Sequence, residues 1–196
     1  RRHPRRDRAS PPFPRTATHP HALTPEIPHD PTHQDYLERN EVTDRDDAGV
    51  LADGLSKLLK ENNAKVCGGA LTCASLAVQG SPDLFRQHVP SFLPGVFDRL
   101  GDLKAPVREA ARNLLVSLME LGVTPPADVL GKQSIGWRHK NWRVREELLR
   151  TCEQAFTSTN LTDAEDLSVK TTLPQVLNAL EDREAGVREA AVAATP

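Results

Sequence analysis

Histidine is the residue best suited to metal chemistry in this sequence, and its distribution is uneven. Five of the seven histidines lie between His3 and His33, together with half of the prolines. Neutral imidazole binds transition metals well, so a metal site is the first hypothesis for His19, His21, His29 and His33. The surrounding segment, however, has no cysteine and no apolar periodicity that would build a rigid scaffold for ligands. We therefore expect a solvated tail and no bound metal.

Nucleophiles and bases are present, but not in catalytic arrangements. Cys67, Cys73 and Cys152 form no C-x-x-C pair, and small buried thiols in a reducing compartment explain them. Ser134 and His139 are close in sequence, but no carboxylate is placed to orient the histidine. A glycine-rich phosphate loop, an H-E-x-x-H motif and a nucleophile elbow are all missing from the sequence. The sequence therefore predicts a protein that is not an enzyme and uses no cofactor.

Charge is the remaining kind of chemistry. The net charge of −2 gives no global attraction to nucleic acid or to membranes, and the helix surfaces mix both signs without a basic stripe. Electrostatic recognition must therefore come from local groups. Basic side chains recur at similar intervals along the chain, at Lys65, Lys104, Lys140 with Arg143, and Arg183. Whether they meet on one surface depends on the elements that carry them.

Those elements are internal repeats. When the sequence is laid over itself, positions 92–111 align with positions 172–191, and more than half of the aligned residues are identical. The Val-Arg-Glu motif that begins at Val107 recurs at Val144, and a diverged copy begins earlier, at Val66. The repeat period that these positions define is typical of HEAT and armadillo helical hairpins, which repeat about every 40 residues.

One repeat shows how a hairpin is built. Apolar residues at spacings of three and four predict a first helix from about Pro82 to Leu100, kinked at Pro90 and Pro94, and then a turn over residues 101–105. A second helix begins near Pro106 and buries a stripe of small and aliphatic residues: Val107, Ala110, Ala111, Leu114, Leu115, Leu118 and Met119. Because one hairpin cannot bury both of its faces, neighbouring hairpins must stack.

Two details of the repeat carry further expectations. Asp102 and Asp182 each precede an arginine by six positions, at Arg108 and Arg188. We expect these carboxylates to cap the following helix and to bond a neighbouring arginine that ties adjacent repeats together. Gly69 aligns with Ala110 and Ala190, which predicts close helix packing at that slot.

The chain thus divides into two parts. Residues 1–45 form a Pro-, Arg- and His-rich tail that is expected to be disordered. Its basic run Arg1–Arg6 is interpreted as part of this solvated tail, with contact to an acidic polymer surface and a localisation signal as the alternatives. Residues 46–196 are predicted to form an all-α domain, an α-solenoid of about four HEAT-type hairpins whose last repeat is truncated. The chain does not begin with Met and has no membrane span or signal peptide, so we interpret it as a piece of a larger cytoplasmic protein.

Three stretches together resemble a known family. They are Arg99 to Ala111, the run Trp137-Arg-His-Lys-Asn-Trp-Arg-Val-Arg-Glu-Glu147, and Leu180 to Ala191. In collinear order over about residues 50–194, they resemble the N-terminal TOG domain of CLASP-type microtubule-associated proteins. The aromatic-x-His-Lys-Asn-Trp-Arg-x-Arg-Glu stretch is the most specific part. The resemblance implies a paddle of HEAT repeats, here a partial one, that contacts tubulin through the turns inside each repeat.

Carried over residue by residue, the resemblance implies four tubulin-facing turns. Candidate contacts are Asn63, Lys65, Lys104, Lys140, Asn141, Trp142, Arg143 and Arg183. Trp142 is either an anchor against tubulin or a core residue closing over its turn, whereas Trp137 is expected in the core. We expect the family's first repeat to have no counterpart in the Pro-rich tail and its last repeat to lie beyond Pro196, so the resemblance carries over no contact from the family's first turn.

The function expected is a tubulin- or microtubule-binding module, on microtubules in the cytoplasm, that contributes to microtubule stabilisation and cytoskeleton organisation through its basic turns. Other domains of the same longer chain are a further possible partner, and nucleic acid and membranes are not expected. The alternative is a generic HEAT-repeat scaffold that binds proteins but not tubulin. A groove-binding scaffold would place its unusual residues on the second helices, and this chain places them in the turns.

Overall fold

A computed structural model describes residues 45–158, Leu161 and 169–195. This part of the chain contains nine α-helices and no β-strand, and it lies within one compact unit, residues 31–196. The helices are α1 (Arg45–Leu58), α2 (Ala64–Gly80), α3 (Pro82–Phe85), α4 (Val89–Arg99), α5 (Ala105–Glu120), α6 (Pro126–Leu130), α7 (Trp142–Thr157), α8 (Val169–Ala179) and α9 (Ala185–Ala193). The tail predicted to be disordered lies outside the described residues, except for Arg45.

The helices pair into four hairpins that stack. The second helices α2, α5, α7 and α9 pack on one another in that order, and α1 packs on α4 in the layer of first helices. In the third hairpin, the first helix is reduced to the short α6 and a series of turns over residues 131–141. The predicted all-α solenoid of about four hairpins is therefore confirmed. None of the described helices combines the length and the apolar composition needed to cross a membrane.

The buried stripe of the second hairpin matches its prediction closely. In α5, Val107, Ala111, Leu114, Leu115, Leu118 and Met119 are buried, while Ala110 is only partly covered. The first helix differs, because the predicted helix from Pro82 to Leu100 is two helices, α3 and α4. Proline fits the first turn of a helix, whereas in the interior it removes a hydrogen bond and kinks or breaks the helix. The break falls before Pro90, and a new helix begins one residue earlier, at Val89. Pro94 remains inside α4.

The packing role predicted for Gly69 is wrong. Gly69 is exposed on α2, and a Cβ added there would meet nothing within 4 Å. Its alignment with Ala110 and Ala190 identifies an equivalent slot, but the slot is not crowded in the first hairpin. In the third hairpin the same slot holds Glu147, which is buried.

The cysteines behave as small core residues. All three are free, with Cys67 and Cys152 buried and Cys73 half-buried on α2. Burial raises the pKa of the Cys152 thiol, and also that of Cys73, so neither thiol has the thiolate character that reactivity requires. The expected burial holds for Cys67 and Cys152, whereas Cys73 is only partly covered.

Candidate functional site

The four turns inside the hairpins occupy equivalent positions, and we call them corners 1 to 4. Corner 1 is residues 60–63, corner 2 is 101–104, corner 3 is 138–141 and corner 4 is 181–184, each followed at once by its second helix. The residue before each helix is the cap residue, and the one before that is the tip. The cap residues are Asn63, Lys104, Asn141 and Glu184, and the tips are Asn62, Leu103, Lys140 and Arg183. All four tips are exposed.

One hydrogen bond recurs at every corner and explains the six-position spacing in the sequence. The carbonyl that precedes the tip accepts a bond from the side chain six positions later. Arg108 Nη1 donates to the Asp102 carbonyl at 3.0 Å, and Arg188 Nη1 donates to that of Asp182 at 2.7 Å. At corner 3, Arg145 bonds the His139 carbonyl at 2.7 Å. Cys67 Sγ does the same to the Glu61 carbonyl, at 3.0 Å. Arg108 and Arg188 therefore bind the backbone carbonyls of Asp102 and Asp182, six positions back, rather than the carboxylates of these two aspartates.

The side chain before the tip bonds the backbone N–H of the cap residue, so the two aspartates fix the corner itself. The predicted capping of the first helical turn by these aspartates is not made, because neither α5 nor α9 has a side-chain cap bond. Asp102 Oδ1 accepts the Lys104 N–H at 2.9 Å, and Asp182 Oδ1 accepts the Glu184 N–H at 3.0 Å. At corner 3, His139 Nδ1 takes the same place and accepts the Asn141 N–H at 3.2 Å. Because this nitrogen is the acceptor, the proton of a neutral His139 ring must sit on Nε2.

Neighbouring corners are tied to each other by polar contacts. Arg145 donates two bonds to the Asp182 carboxylate, at 2.7 and 2.9 Å, which confirms the predicted tie between adjacent repeats for Asp182. These bonds, with desolvation opposing them, lower the pKa of Asp182 and raise that of Arg145. For Asp102 the prediction is wrong, because its carboxylate accepts a bond from Arg99 of the same hairpin, at 3.2 Å. Corner 3 is joined to corner 2 by Asn141 Nδ2, which donates to the Gly101 carbonyl at 3.0 Å. Corners 2, 3 and 4 are therefore linked through hydrogen bonds.

The three lysines proposed as contacts lie at the corners or just after one, and their charges are not neutralised by a partner in the described part. Lys65, Lys104 and Lys140 are exposed, and none forms an ion pair with another residue of the described part. A depression of about 460 Å³ joins the first three corners, and its lining includes Asn62, Lys104 and Lys140. A second depression of about 410 Å³ joins corners 3 and 4 and includes Lys140 and Arg183. The structure thus brings these basic corners together on one edge.

The other candidate residues are more constrained. Asn63 Oδ1 caps the Lys65 N–H at 2.9 Å, and Asn141 uses its oxygen for the Arg143 N–H at 3.1 Å as well as its nitrogen for the Gly101 carbonyl. Arg183 is 77% exposed but has Glu184 at 3.7 Å, which reduces its net charge effect. Structural bonds therefore occupy the polar atoms of Asn141.

The two tryptophans differ in environment from free surface anchors. Trp142 is half-buried against the core, and the Arg143 guanidinium lies 4.6 Å from its ring centroid. Its ring also approaches α9, because a Cβ on Gly186 would lie 3.4 Å from Trp142 Cζ3. Trp137 packs against the core and its Nε1 donates to the Leu130 and Gly131 carbonyls, at 3.2 and 3.1 Å. Trp137 therefore packs against the core as predicted, but like Trp142 it is only partly buried.

The expectation that no carboxylate orients His139 is wrong, because Asp98 Oδ1 lies 3.3 Å from His139 Nε2. Both ring nitrogens are thereby used, Nδ1 by the backbone and Nε2 by Asp98. Ser134 is buried, and its Oγ accepts the Gly136 N–H at 3.4 Å. No catalytic pair forms between Ser134 and His139. Within the described ranges, no group of three metal-ligating side chains is close enough to hold an ion, and the four N-terminal histidines lie outside them.

Sequence reasoning missed a buried ionic cluster on the layer of second helices. Glu147 is 2% exposed, and its carboxylate accepts bonds from Arg108, Arg112 and Arg150 at 3.1, 2.7 and 3.2 Å. The signal was present, because Glu147 is the one carboxylate in a slot otherwise held by Gly69, Ala110 and Ala190. This cluster joins α5 to α7 and holds the second and third hairpins in register.

Known proteins with similar sequences show which family this helical domain belongs to. No protein-family profile matches the chain. It is 40% identical over 145 residues to a CLIP-associated protein of Arabidopsis thaliana, covering 72% of this chain and 10% of that protein. It is 37% identical over 147 residues to the CLIP-associating protein of Drosophila melanogaster, covering 74% and 10%. CLIP-associating protein 1 of Xenopus tropicalis is 34% identical over 143 residues, covering 72% and 10%. The chain therefore spans about a tenth of the length of these curated relatives.

Solved structures give the same assignment. The MAST/Orbit N-terminal domain matches with a TM-score of 0.68 and 36% identity, over 74% of this chain and 63% of that one. A TOG domain of Caenorhabditis elegans Zyg9 matches with a TM-score of 0.59 over 82% and 62% of the two chains, and at 21% identity it supports the fold alone. The helical part of this chain is a TOG-type HEAT-repeat domain homologous to a segment of the CLIP-associating proteins.

Proposed function

We propose that this chain is a tubulin-binding module that contributes to microtubule stabilisation and cytoskeleton organisation, through the edge formed by its corners. The partner is tubulin, as free dimer or in the microtubule lattice, and the protein works on microtubules in the cytoplasm as a binding module rather than an enzyme. The observation that carries the proposal is the row of exposed lysines without ion pairs in the described part, Lys65, Lys104 and Lys140, at or beside corners joined by continuous depressions.

The family resemblance suggests tubulin as the partner, and the arrangement of the lysines explains how the edge would recognise it. TOG domains of CLASP-type proteins contact tubulin through these same turns, and tubulin presents an acidic surface. A linear array of cations on a rigid edge steers the encounter with such a surface and sets its register. The bonds that hold each corner leave the lysine side chains free while fixing the backbone that carries them. Little ordering of the backbone is therefore needed on binding.

Charge contributes only part of the affinity. One exposed ion pair contributes about 0.2–1 kcal/mol, whereas micromolar binding requires about 8 kcal/mol. Reversing two lysines replaces attraction by repulsion at two corners. We therefore expect Lys104→Glu/Lys140→Glu to weaken tubulin binding about ten- to thirtyfold at low salt, and less at high salt because screening reduces both terms. Gel filtration with tubulin dimers and co-sedimentation with microtubules, each at two salt concentrations, measure this and separate free tubulin from the lattice.

A matched control keeps the net charge equal. Arg86 and Lys132 are exposed and line neither depression on the edge. Arg86→Glu/Lys132→Glu changes the net charge as much as the edge variant does, and we expect it to bind nearly as the wild type. Wild-type protein that binds neither dimers nor microtubules rules the proposal out. Tubulin binding that ignores both salt and the edge reversal would mean that the chain binds tubulin through a surface other than these corners, and it would overturn the role proposed for the edge.

A further inference from the structure

We infer that Leu103 is the apolar contact of this edge and inserts into an apolar recess of the partner's acidic surface. The inference rests on the proposed function, because it describes how the same edge binds. It assigns to corner 2 an apolar side chain rather than only the charge of Lys104.

Leu103 is the most exposed large apolar side chain in the described part of the chain. Its exposed fraction is 80%, ahead of Val50 at 74% and Val192 at 66%. A lone exposed leucine is ordinary on protein surfaces, so exposure alone does not indicate a binding contact and the position of Leu103 must be considered. Val50 and Val192 lie on helices, in α1 and α9, whereas Leu103 occupies the tip of a corner. The tips of the other three corners are polar: Asn62, Lys140 and Arg183.

The backbone around Leu103 is held firmly on both sides. Arg108 Nη1 donates to the Leu103 carbonyl at 3.3 Å and to the preceding carbonyl of Asp102. The Asp102 carboxylate also accepts the N–H of Lys104, the next residue. An apolar side chain on a rigid backbone loses little conformational entropy when it is buried by a partner, which is the condition for an effective anchor.

Trp142, the other candidate for an apolar contact with the partner, is already packed within the domain. The Trp142 ring is packed against the core, against the start of α9 and under the Arg143 guanidinium, so only part of it remains for a partner. Leu103, in contrast, lines the depression that also contains Lys104 and Lys140. Two cations without ion pairs in the described part, beside one leucine, complement an apolar recess bordered by acidic side chains. The two carboxylates of the same depression, Asp98 and Asp102, lie 3.3 and 3.2 Å from His139 and Arg99. The charges left without an ion pair among these described residues are therefore those of the lysines, which favours an acidic protein surface as the occupant.

The test compares tubulin binding by Leu103→Ala, Leu103→Met and the wild type. Removing most of a buried leucine side chain is expected to weaken binding about tenfold. Because the lost contact is apolar, the factor is expected to be the same at low and high salt, unlike that of the lysine variants. Leu103→Met is expected to restore most of the affinity. Val192→Ala, an exposed apolar truncation away from the corners, is the matched control and is expected to bind as the wild type.

Thermal unfolding separates binding from folding, since Leu103 is exposed and its truncation is expected to leave Tm unchanged. If the wild type binds and Leu103→Ala binds equally well, the inference is wrong while the proposed function stands. If the wild type does not bind tubulin, the proposed function itself fails. A loss in Leu103→Ala that disappears at high salt would also overturn the apolar contact.

Discussion

Single ionic contacts hold the corners in place, and the pair of Arg145 and Asp182 shows how. Their side chains are 12% and 14% exposed and are joined by two short bonds between the third and fourth hairpins. Asp182 also caps the N–H of Glu184. One carboxylate therefore fixes both the entry to α9 and its position relative to α7, so its charge state affects the geometry of corner 4.

The lowered pKa of Asp182 predicts how the stability of the domain depends on pH. Its pKa is lowered in the folded protein, chiefly by the hydrogen bonds from Arg145, from the ordinary value of about 3.9. A lowered pKa means that the carboxylate stabilises the fold above about pH 4 and that this contribution is lost as pH falls through the folded pKa. We expect Asp182→Asn to cost about 2 kcal/mol at neutral pH and progressively less in acid, as measured by urea unfolding between about pH 3 and 7.

Asn keeps the shape of Asp but has one oxygen where Asp182 uses two, so this substitution removes the charge together with one of the two bonds from Arg145. Asp53→Asn on α1 is the control, because Asp53 is exposed and has no ion pair with a residue of the described part. A difference between wild type and Asp182→Asn that stays constant throughout the acid range would contradict the assigned cause.

At the scale of elements, corner 2 and corner 3 meet at a glycine that has no room for a side chain. A Cβ on Gly101 would overlap the Asn141 amide nitrogen, which donates to the Gly101 carbonyl, and would lie 3.0 Å from Val144 Cγ2. We expect Gly101→Ala to destabilise the domain by about 2 kcal/mol, because the Asn141 amide must move away and give up its bond to the Gly101 carbonyl. Urea unfolding measures the change in the free energy of unfolding.

A double-mutant cycle gives the cause, because Gly101→Ala is expected to cost much less in an Asn141→Ala background. Equal costs in both backgrounds would show that the amide contact is not responsible. Gly68 provides the opposite case within the same fold. It lies inside α2, with nothing within 4 Å of an added Cβ. Gly68→Ala is therefore expected to stabilise the protein by about 1 kcal/mol through helix propensity.

These elements also show what sequence could and could not predict. The hairpins and their corners were predictable because local apolar spacing and the repeated Val-Arg-Glu motif set them. The contacts between corners were not, since Asn141 and Gly101 are far apart in sequence and their meeting depends on how two hairpins stack. For the same reason, the half-buried state of Trp142 required the structure. The free lysines were predictable as corner residues, but the exposed tip of Leu103 was not singled out.

At the scale of the whole described unit, stability is expected to be arranged hairpin by hairpin. Each second helix packs on the next, in the order α2, α5, α7 and α9, and α8 packs on α9. In such a stack the free energy is approximately a sum of hairpin terms and nearest-neighbour interfaces. A defect in the fourth hairpin therefore affects mainly that hairpin, whereas a defect in α7 removes the support of everything that follows it.

Two equivalent valines test this arrangement. Val144 in α7 and Val187 in α9 occupy the same position of their repeats and are both fully buried, so truncation to Ala costs each a similar amount, about 2 kcal/mol. We expect Val187→Ala to speed hydrogen exchange in α8 and α9 alone, leaving the amides of α2 and α5 protected. Val144→Ala is expected to speed exchange in α7, α8 and α9 together. Uniform acceleration across all helices in both variants would mean that the hairpins unfold as a single unit. In that case the opening of any one hairpin would unfold all four corners, and Lys104 and Lys140 would lose their relative positions together.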